Sequence, residues 1–141
     1  MRIVLDANVF ISGLLSKQGP PGQILDAWLE GQFSLFVSPP IVAEIQRVLA
    51  YPRIRARLKP GQADQLTSLL VAATEWVEGK LVLEVLTKDP SDNIYLACAV
   101  EAQAEFLVTG NLSHYLEAGN PFQGVEILTP RQFLEILNHL A

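Results

Sequence analysis

The chain has one cysteine, two histidines and no apolar run of the roughly 18 residues that a membrane span requires. A lone Cys98 forms no intramolecular disulfide, which excludes a disulfide-stapled scaffold; its neighbours Ala97, Ala99 and Val100 predict a buried thiol in a reducing compartment. His114, His139 and one buried thiol are too few for a nitrogen and sulfur zinc site. No G-x-S-x-G elbow, Walker loop or G-x-G-x-x-G occurs, so serine-hydrolase, P-loop and dinucleotide chemistries lack their parts. Internal repeats and low-complexity linkers are also missing. Asp6 interrupts the first apolar run too early for a signal-peptide core, and the expectation is a cytoplasmic protein.

What is present suits one domain over residues 1–141, with 50% hydrophobic and 18% charged residues. A chain of this length buries roughly 70% of its unfolded surface and needs no structural metal to hold a core. Ten Lys and Arg stand against fifteen Asp and Glu, for a net charge of −5, which argues against a nucleic-acid coat protein held by charge alone. The cations are unevenly placed. Arg47, Arg53, Arg55, Arg57 and Lys59 lie in a segment without acids between Glu44 and Asp64, so the remaining chain sets five cations against fifteen acids. The strip reads either as a contact for a polyanion or as a solvated helix surface.

The pattern alternates strands and helices. Arg2 to Leu5, Ser34 to Ser38, Phe106 to Thr109 and Val125 to Leu128 read as strands, and Leu81 to Leu86 as a strand or an irregular edge. Helices are predicted over Ala7 to Ser16, around Ile24 to Leu29 with an end near Gly31, from Pro39 to about Ala50, and from Ser91 to about Ala104. Pro130 opens a last helix. Leu66, Leu69, Leu70, Ala73 and Val77 predict a long amphipathic helix stopped by Gly79. This alternation indicates an α/β fold with a mainly parallel sheet, in which ligands gather beyond the carboxyl ends of the strands.

Several acids fall at such ends. Asp6 closes the first strand and is also a good helix N-cap. Glu44 borders an apolar stripe, where a charge needs a cation or a salt bridge, with Arg47 in reach. Asp89 and Asp92 flank a helix entrance at Pro90, more acid than capping requires. Thr109, Gly110 and Asn111 close the next strand at the same edge. Oxygen ligands of this kind suit Mg²⁺ or Mn²⁺. His114 reads as a surface or packing residue, with substrate contact as its alternative. Clustered carboxylates repel one another, and a divalent cation offsets that repulsion while activating water toward a phosphodiester.

The series LDAN at 5–8, PPIVAEIQRVL at 39–49, DPSDNIYLACA at 89–99 and LVTGN at 107–111 resembles the PIN-domain ribonucleases, particularly VapC-like toxins of bacterial toxin–antitoxin pairs. The resemblance implies a three-layer α/β/α sandwich and Mg²⁺- or Mn²⁺-dependent cleavage of RNA. A homodimer and an antitoxin partner are implied too. The family's three acids fall on Asp6, Glu44 and Asp92, with Asn8 completing the first motif, Thr109 supporting the site and Asp89 matching an accessory acid. Where many members carry a further aspartate this chain has Asn111, whose amide offers a cation only a neutral oxygen.

Overall fold

In a computed structural model, which describes residues 1–140, five parallel strands lie in the order β3-β2-β1-β4-β5. They are β1 (Arg2–Leu5), β2 (Ser34–Val37), β3 (Glu75–Trp76), β4 (Phe106–Val108) and β5 (Glu126–Leu128). Successive side chains of a strand point to opposite faces. Ile3, Val4 and Leu5 of β1 are all fully buried, so the central strand is covered on both faces, as a layered α/β fold requires.

The cover is helical. Helices α1 (Ala7–Leu15), α2 (Pro20–Leu29) and α7 (Pro130–Leu140) pack together, and Phe133 of α7 meets Phe33 edge-on with ring centroids 5.3 Å apart. Helix α6 (Asn93–Glu101) rests on β1, β2 and β4 and touches α3 (Pro39–Leu49), which in turn contacts α5 (Gln62–Ala72). Helix α6 is apolar nearly all round and correspondingly buried, including Cys98, whose thiol burial pushes up to about 12. Among the described residues no helix is long and apolar enough to cross a membrane.

Three elements depart from the sequence reading. The helix carrying Leu66 and Leu70 ends at Ala72 instead of near Gly79. Trp28 Nε1–H of α2 donates to the Ala73 carbonyl at 2.9 Å, and the Thr74 hydroxyl bonds the Leu70 carbonyl, so the chain leaves the helix and runs extended. It forms β3 there, and Val77 N–H donates to the Val37 carbonyl at 2.9 Å. The basic stretch contains a short helix, α4 (Pro52–Arg55), with proline in its first turn. Leu81 to Leu86 is irregular, the second of the two readings of that stretch.

Gly22, in the first turn of α2, packs closely against the turn that joins α1 to α2, because a Cβ there would strike the backbone of Lys17. Backbone cannot swing away as a side chain can. Gly22→Ala should therefore lower folding stability by about 1–3 kcal/mol, read as a lower urea midpoint with an unchanged slope.

Candidate active site

The chain crosses from β1 to β2 on one side of the sheet and returns to β4 on the other, so a crevice opens where the carboxyl ends of β1 and β4 lie side by side. Asp6 follows β1 and Thr109 follows β4. Asp6 is only 4% exposed, and a single oxygen, Oδ2, accepts hydrogen bonds from the Thr109 hydroxyl at 3.0 Å and the Tyr115 hydroxyl at 2.7 Å. Its Oδ1 receives only the Asn8 backbone N–H, at 3.5 Å, so the predicted capping role is met weakly. One carboxylate oxygen is saturated and the other retains bonding capacity.

Asn8 and the turn after β4 lock this geometry. Asn8 Oδ1 accepts the Gly110 N–H at 2.8 Å, and Thr109 Oγ1 accepts the Asn111 N–H at 3.0 Å. A side chain at 110 would crowd Asn8 Oδ1, which its Cβ would approach to 3.1 Å. Thus the Asp-x-Asn motif and the Thr-Gly-Asn turn form one bonded unit.

Asp89 and Asp92 occupy the two ends of a 3-10 turn, Pro90–Asp92, that leads into α6. Neither carboxylate caps a helix. Asp92 Oδ2 instead meets His114 Nδ1 at 2.9 Å, with Asp89 Oδ1 at 3.7 Å from the same nitrogen. His114 and Tyr115 sit on the 3-10 segment Leu112–Ala118, so this one segment reaches both aspartates. His114 therefore lines the candidate cleft while its side chain stays about one-third exposed, at 36%. Tyr115 was not singled out by sequence: it lies 109 positions from its partner, in a stretch with loop composition and no periodicity.

A cleft of about 310 Å³ opens here, lined by Asp6, Asn8, Asp89, Asp92, Asn111 and His114 among others. Burial raises the pKa of Asp6 above its ordinary 3.8, and the Asp92 charge raises it further, while the Tyr115 and Thr109 hydroxyls act against both. Burial raises Asp92 as well, opposed by His114. The hydrogen bond to Asp92 in turn raises His114. The Tyr95 hydroxyl, on α6, is buried without a hydrogen-bond partner; its pKa rises through burial and through the charges of Asp6, Glu44 and Asp92.

Glu44 of α3 forms an ion pair with Arg47 one turn on, and it does not line the cleft, although Val48 of the same helix does. Among the described residues no three His, Cys, Asp or Glu side chains group as a cage for one metal ion, so Asp6, Glu44 and Asp92 are not assembled as a three-ligand set. The donor set still fits a hard divalent cation. Mg²⁺ commonly binds through one or two carboxylates and keeps several waters, and Asp6 and Asp92 are two desolvated carboxylates with raised pKa values in a single cleft.

The basic residues divide. Arg47 is engaged by Glu44, Arg55 and Lys59 line a groove beside α3 and α5, and Arg57 and Lys59 line a second concavity together with Lys17. Arg53 is exposed and borders neither.

A family profile described as a PIN domain matches residues 2–113, from β1 into the segment that carries His114. The chain belongs to the PIN domain family. This family includes VapC-like nucleases and has the α/β architecture described above, so a nuclease-type chemistry attaches to the fold. The uncharacterized protein MJ1680 of Methanocaldococcus jannaschii is 28% identical over 148 aligned positions, covering 96% of this chain and 90% of that protein. The likeness to that protein runs across nearly the whole chain, and the PIN profile covers residues 2–113 of it.

Because burial holds the folded-state pKa of Asp6 above 3.8, its ionised carboxylate opposes folding at higher pH, and the cost vanishes below the unfolded-state value. Asp6→Asn should accordingly raise the urea midpoint of the protein in chelator at about pH 7.5. That advantage over the wild type should shrink toward about pH 3.5, where both forms are uncharged at this position. Parallel denaturation series at the two pH values check the sign.

Proposed function

We propose that this PIN domain, a single unit over residues 1–141, is an Mg²⁺- or Mn²⁺-dependent endoribonuclease acting as the toxin of a toxin–antitoxin pair. The observation that carries the nuclease reading is that Asp6, buried, and Asp92, half-buried, line one cleft at the carboxyl edge of the sheet in a PIN domain. The toxin role rests on the motifs at 5–8, 39–49, 89–99 and 107–111. In that role the chain has an antitoxin partner and acts as a homodimer in the cytoplasm.

Asp6 and Asp92 would hold the cation, with Asp89 as an accessory acid and Asn111 adding a neutral oxygen. Bound there, the cation supplies a lowered pKa to a bound water and charge compensation at the phosphate. The rest is done by side chains of this protein. Tyr115 and Thr109 hold Asp6 Oδ2 so that Oδ1 faces its task without rotational freedom. Asn8 keeps the turn at Gly110 and Asn111 against the first motif. His114 hydrogen-bonds Asp92 and favours its ionised form, and Glu44 adds negative potential from α3. Arg47, Arg53, Arg55, Arg57 and Lys59 raise the local concentration of a polyanion on an otherwise acidic protein.

A second reading, a catalytically weak PIN domain that binds RNA or protein, is favoured by Asn111 at a position of acids and by the pairing of Glu44 with Arg47. Cleavage decides between them. Wild-type protein should cut RNA in Mg²⁺ or Mn²⁺, chelator should abolish the reaction, and Asp92→Asn should lower kcat/KM by about 100-fold or more. RNA binding without cleavage in either metal would favour the second reading. Asn111→Asp should tighten Mn²⁺ binding in calorimetry by restoring an anionic ligand, and weaker binding would show that Asn111 organises the turn instead.

A further inference from the structure

The acid cleft is not the only concavity that borders α1. Asn8, Ile11 and Ser12 line the cleft, while Leu14, Leu15 and Ser16, at the other end of the same helix, line a concavity of about 380 Å³. Lys17, Arg57 and Lys59 line it too, and no carboxylate does. All three cations are exposed, and the ion pairs among the described residues involve other cations: Arg47, Lys80 and His114.

This grouping joins segments that are distant in sequence, and one side chain secures it. Gln62 Oε1 accepts the Lys59 N–H at 2.8 Å, and Gln62 Nε2–H donates to the Leu14 carbonyl at 3.3 Å. The basic segment after α4 is thereby tied to the last turn of α1, where Lys17 follows. At about 1.5 Å rise per residue, α1 separates Asn8 from Leu15 by about 10 Å, which a short stretch of extended nucleic acid covers.

We propose that Lys17, Arg57 and Lys59 form a phosphate-binding subsite that takes the backbone of single-stranded RNA leaving the cleft along α1. The inference rests on the nuclease reading for its ligand class. It also narrows the basic strip: Arg47 is already paired, Arg53 faces neither the groove nor the concavity, and Arg55 lines only the groove beside α3 and α5, so the salt-sensitive contacts concentrate on three residues, one of which, Lys17, lies outside the strip. Cations beyond a helix C-terminus also favour its dipole. That effect is read in thermal stability and leaves RNA binding untouched.

Binding of a short labelled single-stranded oligoribonucleotide should be followed against salt in Mn²⁺, in an Asp6→Asn background that prevents cleavage. Each phosphate contact to a single strand contributes about 0.7 to the slope of log affinity against log salt. Combining Lys17→Ala, Arg57→Ala and Lys59→Ala should weaken binding and flatten the slope by up to about 2, whereas Lys80→Ala should leave it unchanged. Cleavage of the same RNA by wild-type protein is the parallel arm. Cleavage with an unaltered slope in the triple variant overturns the subsite alone and assigns the concavity to a protein partner or to solvation. A flattened slope without cleavage supports the subsite and overturns the nuclease reading. Neither binding nor cleavage by a folded protein overturns both.

Discussion

A carboxylate with almost no access to water sits at the end of the middle strand of this sheet, and the arrangement around it follows from keeping it there. Removing an ion from water costs several kcal/mol even after relaxation, and among the described residues no cationic side chain pairs with Asp6 to offset that. Two hydroxyls on one oxygen are its compensation. They come from Thr109, delivered by the neighbouring strand, and Tyr115, delivered by the 3-10 segment beyond it. Ile3, Val4 and Leu5 before it are buried on both faces, so the backbone cannot yield to bring Asp6 into solvent. A charge held in this way is pre-positioned, and a cation is the group that would relieve it.

The second aspartate is placed by different means. From Val77 to Asp89 the chain has no regular structure, so side chains must hold it. Glu101 of α6 accepts the N–H groups of Gly79 and Leu81 at 3.2 and 2.9 Å, and Asn93 both accepts from and donates to the backbone of Leu86. At the end of the strap, Glu117 accepts the N–H groups of Thr87 and Lys88 and the Thr87 hydroxyl, bonds that hold its own pKa below the ordinary value. Glu117 belongs to the segment that also carries His114 and Tyr115. A single 3-10 segment therefore touches Asp6 through Tyr115, Asp92 through His114, and the approach to Asp89 through Glu117. The two aspartates arrive on separate elements, and this segment sets them relative to each other.

The elements that sequence reasoning located well are those whose cause is local. The strand Arg2–Leu5, the helix Pro39–Leu49 and the helix after Pro90 follow from continuous apolar runs and from proline at first turns, which depend on neighbouring residues alone. Asp6 and Asn111 stand out in the sequence because they follow strands at one sheet edge, and Asp92 because it stands at a helix entrance. The two-residue β3 does not, because helical spacing from Leu66 through Val77 continues across a boundary set by Trp28, on another helix. Tyr115 was missed for the same physical reason: its value lies in a contact with Asp6, and nothing in its own neighbourhood announces it. The pairing of Glu44 with Arg47 is local and was open as an alternative, but which partner Glu44 takes depends on how α3 is presented to the cleft.

Charge shows how these levels combine. A net charge of −5 opposes the approach of any polyanion at long range, and the acid cleft alone would strengthen that opposition. Yet fields are local at physiological salt, since the Debye length is about 8 Å. Helix α1, nine residues long, spans about 13 Å and has the acids at its start and the cations just past its end, so each group acts in a separately screened region. Closer together, the opposite charges would pair with one another, as Glu44 and Arg47 do on α3, and neither would be free to meet a ligand. The length of this nine-residue helix keeps them apart while leaving both within reach of one extended strand.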